Sequence, residues 1–155
     1  MIEPMNLAIE QARETMNKNI GGPFGAAIVS PDGEVIAVNS NRVLCDHDPT
    51  AHAEITTIRE ACRKLGTHDL SGYVMYATGY PCPMCLGAMI WANIKTCYYG
   101  CLPTDAEKIG FRDEFIYRFI KDDCKDVNIL EFTEDHREQC LELFKEYYEK
   151  EKELY

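Results

Sequence analysis

The chain has 155 residues, 26 of them acidic and 16 basic, for a formal net charge of −10. That length suits a single domain, 1–155, burying about two-thirds of the surface its unfolded form would expose. The acidic balance, with no stretch that concentrates Lys and Arg, opposes nucleic acid as a substrate or partner, and no apolar run approaches the roughly 20 residues of a membrane span.

Met5, Ile9, Ala12 and Met16 recur at helical steps with Glu10, Arg13, Glu14 and Lys18 on other faces, which predicts an amphipathic first helix ended by Gly21-Gly22-Pro23. Phe24 to Val29 and Glu34 to Val38 are short apolar runs joined by Ser30-Pro31-Asp32-Gly33, the signal of an antiparallel hairpin. A polar loop through Asp46-His47-Asp48-Pro49 leads to a second helix with Thr50 as its expected N-cap, Ile55, Ile58, Ala61, Cys62 and Leu65 at helical spacing, and Gly66 closing it. Tyr73 to Thr78 reads as a central strand. Gly79-Tyr80-Pro81 turns the chain into a third helix, and Ile94 to Tyr99 follows as a strand parallel to the previous one.

Beyond Gly100, short helices are expected near Thr104 and over Asp113 to Ile120, a fifth strand over Val127 to Phe132, and a last helix from Thr133 in which Cys140, Leu141, Phe144 and Tyr148 keep the period. The order of elements predicts an α/β fold: a mixed five-stranded sheet with helices on both faces, a three-layer α/β/α sandwich. The eight cysteines are not read as a disulfide framework. Met1 to Asn6 holds no basic stretch followed by an apolar run, so reduced thiols and a cytoplasmic setting are expected.

Chemistry concentrates in His52-Ala53-Glu54 and Pro81-Cys82-Pro83-Met84-Cys85. One imidazole and two thiols fill three corners of a tetrahedral zinc site and leave the fourth for water, whose protons Glu54 is placed to move. His52 and Glu54, two apart on a helix, diverge by about 200°, so the metal must sit off the helix end. A helix N-terminus also favours the thiolate form of Cys82 and Cys85. Two alternatives are weaker. A closed structural zinc would need a fourth ligand, and Cys45 and His47 are not at chelating spacing; a redox Cys-x-x-C pair would have no use for His52 and Glu54.

These motifs, with Gly21-Gly22-Pro23-Phe24-Gly25-Ala26, Asp48 to Glu54, Thr104-Asp105-Ala106 and Gly110-Phe111-Arg112-Asp113, resemble the cytidine deaminase-like superfamily, and within it the bacterial guanine deaminases over nearly the whole chain. The resemblance implies one Zn²⁺ per subunit and conversion of guanine to xanthine and ammonia. It implies that Asn41 hydrogen-bonds a purine base, that Phe24 stacks on it, that the Ala53 backbone helps hold it, that Asp113 recognises it and assists proton transfer, and that Tyr155 closes the pocket. It also implies a homodimer whose C-terminal segment, about 105–155, is exchanged between subunits. Read without the family, Phe24 is a core residue, Asn41 a turn residue, Asp113 a helix cap and Tyr155 a frayed end. In one departure, Tyr80 stands where this branch commonly has Glu, which keeps other amino-heterocycles open: isocytosine, cytosine, adenine, an aminotriazine or a nucleoside. A tRNA adenosine deaminase and an inactive zinc-bound module are the remaining alternatives.

Overall fold

The structure, a computed structural model, describes residues 3–155; Met1 and Ile2, part of the segment read above for an export signal, lie outside them. The elements in order are α1 (Pro4–Asn17), β1 (Gly25–Val29), β2 (Val35–Ser40), α2 (Val43–Asp46), α3 (Ala53–Leu65), β3 (Val74–Gly79), α4 (Pro83–Trp91), β4 (Thr96–Cys101), α5 (Pro103–Lys108), α6 (Glu114–Lys121) and α7 (Arg137–Glu149). The chain divides into two compact units, the first ending at Ile116 and the second running from Tyr117 to Tyr155.

In the first unit the strands lie in the order β2-β1-β3-β4. β1 is antiparallel to both β2 and β3, and β3 is parallel to β4. The hairpin follows from Gly33, whose φ of +89° suits glycine. The parallel step follows from the crossover through α4. All five residues of β1 are buried, because helices cover it on both sides. Ala26 and Ile28 join Ala53, Ala61 and Met89 in the core, while Gly25 faces α1 so closely that a Cβ there would lie 2.0 Å from the Ala8 carbonyl oxygen. Alternation along one strand thus assigns alternate residues to opposite layers.

The sheet has four strands among the described residues, not five. Residues 127–129 of the run expected as a fifth strand form a turn, and 130–132 have no regular structure. The cause is Asp126. Its carboxylate accepts the Asn128 N–H at 3.0 Å and its carbonyl accepts the N–H groups of Ile129 and Leu130 at 3.0 and 3.2 Å. A local turn thereby takes the donors a ladder would need. Thr50 likewise does not cap α3. Its N–H and hydroxyl both donate to Asp48 Oδ1, at 2.8 and 2.7 Å, and the cap passes to His52. In the second unit α7 begins at Arg137, later than the sequence suggests, after His136 at φ 50°. Among the described residues no helix is long and apolar enough to cross a membrane.

Candidate active site

His52 and Cys82 hold equivalent positions in two different helices. Each is an N-cap residue with extended backbone, and neither side chain caps its own helix. The diverted side chains meet. His52 Nδ1 lies 3.5 Å from Cys82 Sγ and 3.6 Å from the sulfur of Cys85, which sits in the first turn of α4 and is fully buried. A tetrahedral zinc with bonds of about 2.3 Å to sulfur and about 2.05 Å to nitrogen holds its N and S donors about 3.6 Å apart. The three side chains, all within 4.8 Å of one another, are therefore spaced as three corners of that coordination sphere.

The charge balance around them also fits a cation. Cys82 is pushed down to about 4, by the hydrogen bond from the Cys85 thiol and then by His52, even against burial. Cys85 is driven up by sharing a proton with Cys82, by burial and by Glu54. Glu54, only 7% exposed, is raised by burial and by Cys82, and Asp113 is raised by burial and by Cys82 as well. Cys97 is pushed up to about 11 by burial and Glu54. Of these acids, only Cys82 is held below its ordinary value, as the thiolate that accepts the hydrogen bond of the Cys85 thiol. His52 is raised by hydrogen bonding to Cys82. Crowded acids that resist joint ionisation are the setting in which a divalent ion supplies the missing positive charge.

The ligands open into a pocket of about 430 Å³ in the first unit. Phe24, Asn41, His52, Glu54, Cys82 and Asp113 all line it, so residues read from separate parts of the sequence share one cavity. Asn41 is 6% exposed and held by three bonds: its Oδ1 accepts the N–H groups of Gly22 and Val43 at 3.2 and 3.0 Å, and its own N–H donates to the Phe24 carbonyl at 2.9 Å. With the side-chain oxygen engaged, Nδ2 is left as the donor. Close approach makes this possible, since a Cβ on Gly21 would lie 2.1 Å from the Asn41 carbonyl oxygen. Ala53 is fully buried at the first position of α3, where helix geometry leaves the N–H without an intrahelical acceptor. Tyr155 belongs to the second unit and is 86% exposed.

Reading the sequence did not assign pocket roles to Leu44, Pro49, Arg112 or Phe111, all of which line the cavity. Only Phe111 had a usable signal, an aromatic next to a glycine two residues before Asp113. Tyr80, noted in the sequence as a departure, also lines the pocket, with its ring edge-on to Tyr99 at 4.9 Å.

Residues 2–101 match the family described as the cytidine and deoxycytidylate deaminase zinc-binding region. Guanine deaminase of Bacillus subtilis is 50% identical over 113 residues, 73% of this chain and 72% of its own. A crystal structure of guanine deaminase from Bacillus subtilis superposes with a TM-score of 0.84 at 39% identity, covering 94% of this chain and 92% of that one. A structure from work on tRNA:A34 deaminases superposes with a TM-score of 0.62 at 43% identity, over 65% of this chain and 77% of that one.

Proposed function

The chain belongs to the zinc-binding cytidine and deoxycytidylate deaminase family, and from that membership we propose that it hydrolyses guanine to xanthine and ammonia. It is a zinc aminohydrolase acting on a purine base. The observation that favours guanine over a tRNA substrate is the extent of structural superposition, 94% of this chain at a TM-score of 0.84 on a guanine deaminase against 65% at 0.62 on the structure from work on tRNA:A34 deaminases. The net charge of −10 supports the same choice.

His52, Cys82 and Cys85 would hold the zinc, which when bound would supply a Lewis acid that lowers the pKa of water toward neutrality. Glu54 takes a proton from the attacking water and passes it to the ring nitrogen beside the reacting carbon, then takes the remaining proton from the hydroxyl now on that carbon and passes it to the departing amine. Ammonia leaves and a carbonyl remains. Burial suits Glu54 to this work, because a carboxyl raised above its ordinary value holds a proton long enough to hand it on. Asn41 Nδ2 donates to an acceptor on the ring, Phe24 stacks on its face, the Ala53 N–H helps hold it, and Asp113 recognises the guanine edge and assists proton transfer. The apolar walls exclude competing water.

In the complete enzyme Tyr155 closes the pocket and the C-terminal segment is exchanged within a homodimer that works in the cytoplasm. Supporting the exchange are large apolar side chains left exposed on both units, among them Ile90, Trp91 and Tyr98 on the first and Leu143, Phe144 and Tyr148 on the second. Zinc-loaded protein is to be assayed for ammonia release with guanine, guanosine, adenine, cytosine, isocytosine and an aminotriazine. Turnover of another base with none of guanine overturns the substrate assignment, and Tyr80 in the pocket wall is the feature that would favour such a base. Light scattering during gel filtration tests the dimer, and a monomer at working concentration rejects it.

A further inference from the structure

Phe111 is 45% exposed although it lines the pocket. An apolar ring left half in water at a cavity wall gains its remaining burial only when something fills the cavity. It meets Phe24 edge to face, with centroids 5.0 Å apart and planes at 89°, the arrangement in which the positive rim of one ring meets the negative face of the other. Both rings rest over Gly22, where a Cβ would lie 3.1 Å from Phe24 Cδ2 and Cε2 and 3.3 Å from Phe111 Cζ. On the other side, a Cβ on Gly79 would meet Phe24 Cδ1 at 3.5 Å. Phe24 is thus seated by glycines and steadied by one aromatic neighbour.

The backbone aims that neighbour. Gly110 has φ +101°, and a Cβ there would meet open space, so glycine serves the conformation and not the room. The Phe111 N–H then donates to the Ala106 carbonyl at 3.0 Å, and Phe111, Arg112 and Asp113 follow one another into the pocket wall.

We propose that Phe111 is a positioning residue for ring binding: it holds Phe24 in the plane on which a flat heteroaromatic substrate stacks and completes the apolar wall beside that plane. The proposal rests on the deaminase reading above, in which Phe24 stacks on the base.

The test is steady-state kinetics of the zinc-loaded full-length protein on the base of the panel that the wild type turns over best, together with bound zinc. Phe111→Ala is expected to raise KM about tenfold, the scale of losing a well-oriented aromatic contact and part of a wall. Turnover should stay within about threefold and zinc should be unchanged. Phe111→Leu, which keeps bulk without an aromatic ring and guards against a folding failure in the alanine variant, should resemble Phe111→Ala. Phe111→Tyr should restore the wild-type KM. An unchanged KM in Phe111→Ala, or a wild-type KM in Phe111→Leu, overturns the proposal. Phe24→Ala measured alongside separates the two levels of the argument. If it raises KM while Phe111→Ala does not, stacking on Phe24 stands and the bracing role falls; if neither moves KM, the stacking reading has failed too. A wild type inert on every base sinks the deaminase reading itself.

Discussion

Replacing Glu54 by Gln is the sharpest perturbation of the proposed chemistry. The side chain is 7% exposed, so an isosteric amide keeps the volume of the site and removes only the exchangeable proton and the charge. Proton transfer by a positioned group is worth about 10²–10⁴ in rate. Here one carboxyl serves the water, the ring nitrogen and the amine in turn, which places the loss at the upper end, about 10⁴-fold in kcat or about 5.5 kcal/mol of activation free energy. Zinc should be retained, because Glu54 is not among the clustered donors, and KM should change little. Ammonia release at saturating substrate, paired with metal analysis of the same sample, reads all three quantities. A kcat within tenfold of wild type at full zinc occupancy would refute the role given to Glu54, and loss of zinc would mean that the carboxylate supports the ligands instead.

Asp113→Asn is expected to cut kcat/KM about 100-fold with zinc unchanged, and identical kinetics would remove Asp113 from the site. Its raised pKa carries a sign: if ionised Asp113 is the working form, activity falls as pH drops through a value above the ordinary carboxylate range, and the pH profile of Asp113→Asn lacks that limb. Gly21→Ala should raise KM and lower thermal stability by about 2 kcal/mol, because its Cβ would meet the Asn41 carbonyl oxygen at 2.1 Å; differential scanning calorimetry with kinetics checks both. Chelation should make Cys82, pushed down to about 4, the fastest thiol toward iodoacetamide at neutral pH, while Cys97 at about 11 stays slow. Mass spectrometry of labelled peptides decides it, and equal labelling of the two contradicts the asymmetry.

Local chemistry was legible wherever it acts over a few residues. Pro31-Asp32-Gly33 announced the hairpin, Gly66 the end of α3, and Gly79-Tyr80-Pro81 the entry to α4, since each dictates backbone conformation by itself. The ligand motifs were readable for the same reason. What escaped depended on competition or on distance. Val127 to Phe132 has strand-forming residues, but Asp126 takes the N–H groups of Asn128, Ile129 and Leu130 first. Thr50 is a good cap by type, yet Asp48 engages its donors. Leu44, Pro49 and Phe111 reach the pocket through packing between segments far apart in sequence, which no periodicity encodes. Asn41 looked like a turn residue and is one, bonded to the backbone on either side; its turn role is what frees Nδ2.

The paired N-cap positions of His52 and Cys82 carry a consequence for local unfolding. A cap residue ordinarily ties down the leading amides of its own helix, and both of these have given up that duty. Whatever ion the two side chains grip also clasps the leading ends of α3 and α4 together. Stripping it should release both ends at once, so that the amides of residues 54–56 and 84–86 exchange with solvent faster as a group, while those of β1 keep their protection. Catalytic loading and the closing of two helix ends would then be a single thermodynamic event.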